Sequence, residues 1–183
     1  MTREDAEPMR EAVDLLNELA RRSGVRLPDG AAPAVLGRFR AFLGFPIPDG
    51  VNEWLSVHNG APVPPAGIFG FETIPEIDLR RELAVYPSWR ERRWIPIAGD
   101  GFGNYYVVDA SQRYLSTDPV LFVETLESID EPAYLVSSSV WRFLKFFLSE
   151  ELGVESRWPF DEQYVLQSDT ALAATPETLR PWT

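Results

Sequence analysis

Trp94-Ile95-Pro96-Ile97-Ala98-Gly99-Asp100-Gly101-Phe102-Gly103-Asn104-Tyr105-Tyr106-Val107-Val108-Asp109 reads as strand, turn, strand. Val, Ile, Tyr and Trp suit a pleated, half-buried surface. Gly and Asn tolerate the positive φ of a tight hairpin turn. The pattern puts this hairpin at the centre of the domain and decides against a tempting enzyme reading. Gly99, Gly101 and Gly103 have the look of a nucleotide-binding glycine loop. That chemistry needs a helix directly after the loop, with its N-terminal amides aimed at a pyrophosphate. Here Tyr105-Tyr106-Val107-Val108 follows, and that is strand.

N-terminal to the hairpin the chain reads mainly as helix. Met9, Ala12, Val13, Leu15, Leu16, Leu19 and Ala20 recur at three- and four-residue spacing, which makes one apolar stripe. Pro8 suits the first turn, Arg21 and Arg22 the negative end, and Gly24 the stop. Leu27-Pro28-Asp29-Gly30 is a turn. A second helix covers Ala34–Leu43 and ends at Gly44-Phe45-Pro46. Asp49 is expected to cap a third helix over Gly50–Val57, and Asn59-Gly60 to close it as a left-handed cap. Pro62–Gly67 is a loop, Ile68–Phe71 a first strand, and Glu76–Val85 a helix.

C-terminal to the hairpin, Pro119–Glu124 is a further strand. Ser137, Ser138 and Ser139 offer N-caps to a helix through Glu150, with Val140, Trp141, Phe143, Leu144, Phe147 and Leu148 apolar. Gly153 ends it. The tail from Trp158 has a short helical stretch near Leu172, and Pro176–Thr183 is expected to fray. Helices, then a strand meander, then a helix define an α+β fold with helices packed on an antiparallel or mixed sheet.

The chain has 183 residues, no cysteine and a net charge of −11. That length suits one domain with a terminal extension. Without cysteine there is no disulfide scaffold, thiolate zinc site or cysteine nucleophile. The charge argues against direct binding to nucleic acid, whose partners carry basic patches. It serves solubility, and it also suits a basic partner. Met1–Pro8 is charged and lacks the apolar run of a signal peptide, and no stretch approaches a membrane span. A cytoplasmic location is the expectation.

Candidate chemistry is thin. His58 is the one histidine, and no Gly-x-Ser-x-Gly elbow accompanies it. It reads as a structural histidine beside a helix end, and a single imidazole supports no metal site. Carboxylates are plentiful. Asp100 and Asp109 flank the hairpin and would form a glycosidase-like acid/base pair if they approached each other. The plainer reading is a turn aspartate bonding its own backbone and a second aspartate ending a strand. The Asp100–Asn104 run fails as a calcium loop, having no oxygen side chain at its third position. Arg90, Arg92 and Arg93, near Trp89 and Trp94, read as a solvated loop feeding the strand. No cofactor or metal is expected.

Two segments carry a resemblance. Pro48-Asp49-Gly50-Val51-Asn52-Glu53-Trp54-Leu55-Ser56-Val57-His58-Asn59-Gly60 resembles the proline, short-helix, Asn-Gly segment of the Smi/Knr-like cell-wall assembly regulator domain of the SUKH superfamily. Trp94–Asp109 is similar to its second signature, and the helix through Glu150 matches its closing helix in position. The resemblance spans Val35 to Glu150. It divides the chain into an N-terminal helix and linker (1–30) packed on the domain, a Smi/Knr-like domain (31–152) and a C-terminal extension (153–183).

The resemblance implies a twisted, mostly antiparallel sheet with helices around it. It implies no catalytic residues, so the protein is expected not to be an enzyme. Trp54, Asn59, Gly60, Pro96, Gly101 and Gly103 are implied fold determinants, as are Asp100 and Asp109. Many bacterial members look like immunity proteins that neutralise a toxin, often a nuclease, while the fungal namesake is a regulatory, partner-binding protein. The expected function is therefore protein binding, with toxin immunity as the specific role. Glu72, Glu76, Asp78, Asp100 and Asp109 are expected to face the partner. A regulatory scaffold or signalling adaptor is the alternative, and a hydrolase built on Asp100 and Asp109 is a third. Self-association is left open.

Overall fold

The computed structural model describes residues 6–154 and 158–182. Among the described residues, seven α-helices and a four-stranded antiparallel sheet make an α+β fold. They are α1 (Ala6–Ser23), α2 (Pro33–Leu43), α3 (Asp49–Val57), α4 (Leu79–Val85), α5 (Pro87–Arg92), β1 (Trp94–Gly99), β2 (Tyr105–Asp109), β3 (Val120–Val123), β4 (Tyr134–Ser137), α6 (Val140–Glu151) and α7 (Glu162–Ser168). The sheet order is β1-β2-β3-β4, a simple meander. In the first hairpin Trp94 pairs with Asp109 and Gly99 with Tyr105. The register slips between Pro96 and Ala98, where proline has no N–H to give the ladder.

Successive residues of β2 feed opposite layers, as the two-residue period requires. Tyr106 turns to α6, with ring centroids 4.9 Å from Phe143 and 5.7 Å from Phe147. Tyr105 turns to α4 and α5, packing on Tyr86 and Trp89. α6 is buried nearly all round: Trp141, Phe143, Leu144, Phe146, Phe147 and Leu148 are all core. The apolar stripe of α1, with Ala12, Leu16, Leu19 and Ala20 buried, covers one flank of α6. α3 reaches it through an edge-to-face contact of Trp54 with Trp141 at 6.3 Å. The C-terminal segment supplies the last wall. Phe160 and Trp158 each lie 5.9 Å from Phe146.

Several local expectations are corrected. α3 begins at Asp49, which sits in the first turn; Pro48 holds the cap position, and no side chain caps it. The helix ends at an extended His58, so Asn59-Gly60 is no left-handed cap. Asn59 instead behaves as a side-chain strand. Its Nδ2 donates to the Phe71 carbonyl at 2.8 Å, and its Oδ1 accepts from the Phe71 N–H at 2.9 Å.

That clamp explains why Ile68–Phe71 is not a regular strand. It makes isolated bridges, Ala61 with Ile68, Ile68 with Ala98 and Gly70 with Asp78. At Gly70 any Cβ would lie 2.3 Å from the Asn59 carbonyl oxygen, so the two segments touch backbone to backbone. The Gly70 bridge also splits the expected Glu76–Val85 helix into a 3-10 turn, Pro75–Ile77, and α4. Asp78 caps α4 by accepting from the Arg80 N–H.

The arginine run lies in and just after α5, not in a solvated loop. Trp89 is buried there and donates to the Ile129 carbonyl at 2.7 Å, and Arg92 pairs with Asp130 at 3.0 Å. Of the three serines only Ser139 caps α6. The expected fraying from Pro176 is also corrected. A 3-10 turn, Glu177–Leu179, forms, and Trp182 Nε1 donates to the Phe160 carbonyl at 2.7 Å; Thr183 lies outside the described residues.

Candidate functional site

The β1–β2 turn is built around Asp100. Its Oδ1 accepts from the Phe102 N–H at 2.7 Å and the Asn104 N–H at 3.0 Å, and its Oδ2 accepts from Asn104 Nδ2 at 2.8 Å. Gly101 and Gly103 have φ of 81° and 98°, values that side chains rarely adopt. Asn104 then ties this turn to the β3–β4 connection, its Oδ1 accepting from the Thr125 N–H at 3.2 Å. Thr125 returns the link by donating from Oγ1 to the Gly103 carbonyl at 2.9 Å. Beside the turn lies a cleft of ≈ 220 Å³, lined in part by Phe69, Glu76, Glu82, Gly101 and Tyr105. The Tyr105 hydroxyl donates to Glu82 Oε2 at 2.7 Å; burial, followed by that carboxylate, pushes the phenol up.

The five expected partner-facing carboxylates do not lie together. Glu76 is exposed beside the cleft, and Asp100 holds the turn. Glu72 pairs with Arg38 at 2.9 Å, and the guanidinium holds its carboxyl below the usual range. Asp78 is buried. Burial alone would raise it, but the Arg80 guanidinium and N–H hold it low. Asp109 is buried at the far end of β2, where it accepts from the N–H groups of Ser111 at 3.0 Å and Arg113 at 3.1 Å. Asp100 and Asp109 thus sit at opposite ends of the hairpin. Five strand residues separate them by roughly 17 Å. A glycosidase pair needs about 5–9.5 Å, so they form none.

The fold-signature residues support this end of the molecule. Trp54 is buried and donates to the Phe69 carbonyl at 3.3 Å, under the cleft. Asn59 bonds to the neighbouring irregular segment, and Gly60 lies so close to it that a Cβ there would fall 2.9 Å from the Gly70 nitrogen. His58 Nδ1 donates to the Pro28 carbonyl at 2.9 Å, a structural role.

A second cleft, of ≈ 270 Å³, lies at the other end of the sheet. Asp49 and Glu53 of α3, Asp118 before β3, Arg142 of α6 and Asp169 after α7 line it. Glu53 accepts from Trp141 Nε1 at 3.0 Å. Asp169 is buried and accepts from the Ser138 N–H and Oγ, both at 2.6 Å. Among the described residues no group of three histidines, cysteines or carboxylates could hold a metal ion. Sequence reasoning missed this cleft. Its residues come from four segments, and only the four-residue spacing of Asp49 and Glu53 is a local clue.

Burial, then Asp49 and Asp109, push the Asp118 carboxyl above its ordinary 3.8. A raised native value means that ionising Asp118 opposes folding. The penalty is absent below the unfolded value and complete once the pH passes the native one. Asp118→Asn is therefore expected to raise Tm by about 1–2 °C at about pH 7 and to change nothing at about pH 3. Thermal melts at both pH values check this, and an equal gain at both would remove the electrostatic cause.

An antiparallel meander between helical layers, with a cleft at each end, is an α+β domain. The chain belongs to the SMI1 / KNR4 family (SUKH-1), whose model matches residues 30–145. Domains of the SUKH group generally interact with other proteins. No curated protein matches the chain significantly. No helix among the described residues is long and apolar enough to cross a membrane.

Proposed function

We propose that this protein is a cytoplasmic, non-enzymatic immunity protein that binds a toxin and blocks it. The observation that carries the reading is a SUKH-1 domain on a chain of net charge −11. A nuclease toxin is basic where it meets phosphate, and an acidic inhibitor is steered toward such a surface and covers it.

The test is co-expression with each toxin-like domain that the reading frames neighbouring this chain are found to encode. Cells should survive only when this protein is present, and the purified pair should form a stoichiometric complex that weakens as salt is raised. Failure to protect against any neighbouring toxin domain would overturn the immunity role. A regulatory protein recovered as the partner instead would make the chain a scaffold.

A further inference from the structure

Two side chains break the ordinary rule for apolar surface. Phe102 is 84% exposed and Leu126 is 93% exposed, more than any other large apolar residue described. Single exposed apolar residues need no explanation. These two differ because their turns are bonded to each other through Thr125, Gly103 and Asn104. Asp100 fixes the Phe102 turn from within. Pro64, Pro65 and Ala66 are exposed on the loop that packs against the same turn, where the Gly101 position faces Pro65 Cβ. The result is a braced apolar tip. Holding anchors in place before binding lowers the entropy lost on association.

The two turns of the tip carry charge of one sign, and Arg81, which donates to the Pro75 carbonyl, is the cation at the Glu76 side. Gly99–Tyr105 and Glu124–Ser128 contain Asp100, Glu124 and Glu127 and no lysine, arginine or histidine. Glu124 and Glu127 are exposed on either side of Thr125-Leu126. The adjoining ≈ 220 Å³ cleft adds Glu76 and Glu82 next to Phe69 and Tyr105, whose rings stack at 6.1 Å. Carboxylates beside aromatic rings suit an arginine or lysine side chain, through ion pairing and cation–π attraction. An anion is repelled there, and a second copy would oppose like charges.

We propose that this end of the sheet is the docking surface for a basic protein, with Phe102 and Leu126 as anchors and the Glu76–Glu82 cleft taking one arginine or lysine side chain. The proposal rests on the protein-binding reading above and specifies its face. Interfaces of this kind concentrate their energy in a few central side chains within a polar rim.

The experiment places p-benzoylphenylalanine at position 102 or 126, with position 154 as a control, in the full-length protein in its own cells. Val154 is 62% exposed and lies outside the tip. Adducts with one basic protein, identified by mass spectrometry, are expected from 102 and 126 and not from 154. A combined Glu76→Lys, Glu124→Lys and Glu127→Lys background should cut adduct yield by about tenfold or more. All three residues are exposed, and an unchanged melting curve verifies the fold.

No adduct from 102, equal adducts from 154, a self-adduct, or a yield untouched by charge reversal would each overturn the docking surface. The immunity reading is judged separately, by protection. A basic partner that is not a toxin ends immunity and keeps the surface. Full protection by a Phe102→Ala/Leu126→Ala variant, with the wild-type protein also protecting, ends the surface and keeps immunity.

Discussion

Trp54→Ala is expected to lower stability by about 3–5 kcal/mol, the usual loss on truncating a large buried aromatic. Native domains hold only about 5–15 kcal/mol in total, so this is a large share. In a chain of this length the melting point should fall by about 10 °C or more. Trp54 is fully enclosed, so its truncation opens a cavity in the core. Its ring meets the edge of Trp141, and its Nε1 donates to the Phe69 carbonyl.

Trp54→Phe separates the two contributions. It keeps most of the burial and leaves the Phe69 carbonyl without the indole donor, for a loss of about 1–2 kcal/mol. The effect should also reach the surface, because Phe69 stacks on Tyr105 beside the hairpin cleft. Chemical denaturation of both variants measures this. A loss below about 1 kcal/mol for the alanine variant would mean that α3 is not anchored through Trp54.

How much of this was legible in the sequence depended on whether the information was local. α1, α2, the central hairpin, β3 and α6 announce themselves by periodicity, and each lies close to where its pattern places it. β4 was hidden because Tyr134-Leu135-Val136-Ser137 is short and runs directly into serines that read as helix caps. α5 was hidden because four of its six residues are polar or charged, and only the tertiary contact of Trp89 buries it. Ile68–Phe71 has strand composition, yet Asn59, from outside the segment, clamps Phe71 and brings its backbone against Gly70.

The site followed the same rule. The turn chemistry of Asp100 was readable because its hydrogen-bond partners lie within five residues. Which carboxylates stay available was not readable. Glu72 is removed from that set by a guanidinium on α2, and Asp109 by its burial in the folded sheet. Exposure of Phe102 was equally invisible, since a phenylalanine in a hairpin turn is as compatible with a core as with a surface.

The C-terminal extension lies beyond the family match, and its removal has the second large expected effect. Truncation after Gly153 would uncover Phe146 on α6 and delete Phe160, Val165 and Leu172, all buried. Burying three such side chains contributes about 5–9 kcal/mol before the ordering cost of the segment is subtracted. It would also remove Asp169, leaving the Ser138 N–H and hydroxyl without their acceptor at the start of α6. Buried donors left without a partner cost about 1–3 kcal/mol each.

The truncated chain is therefore expected to melt at least about 10 °C lower than the whole chain, or to aggregate. Asp169→Ala in the whole chain isolates the polar share and should cost about 2–4 kcal/mol. Differential scanning calorimetry of both proteins measures the two shares. A cooperative melt of residues 1–153 within about 3 °C of the whole chain would show that the extension is an appendage. The opposite result makes it part of the fold: α6, the helix in which the family match ends, is then completed by residues that lie beyond the match.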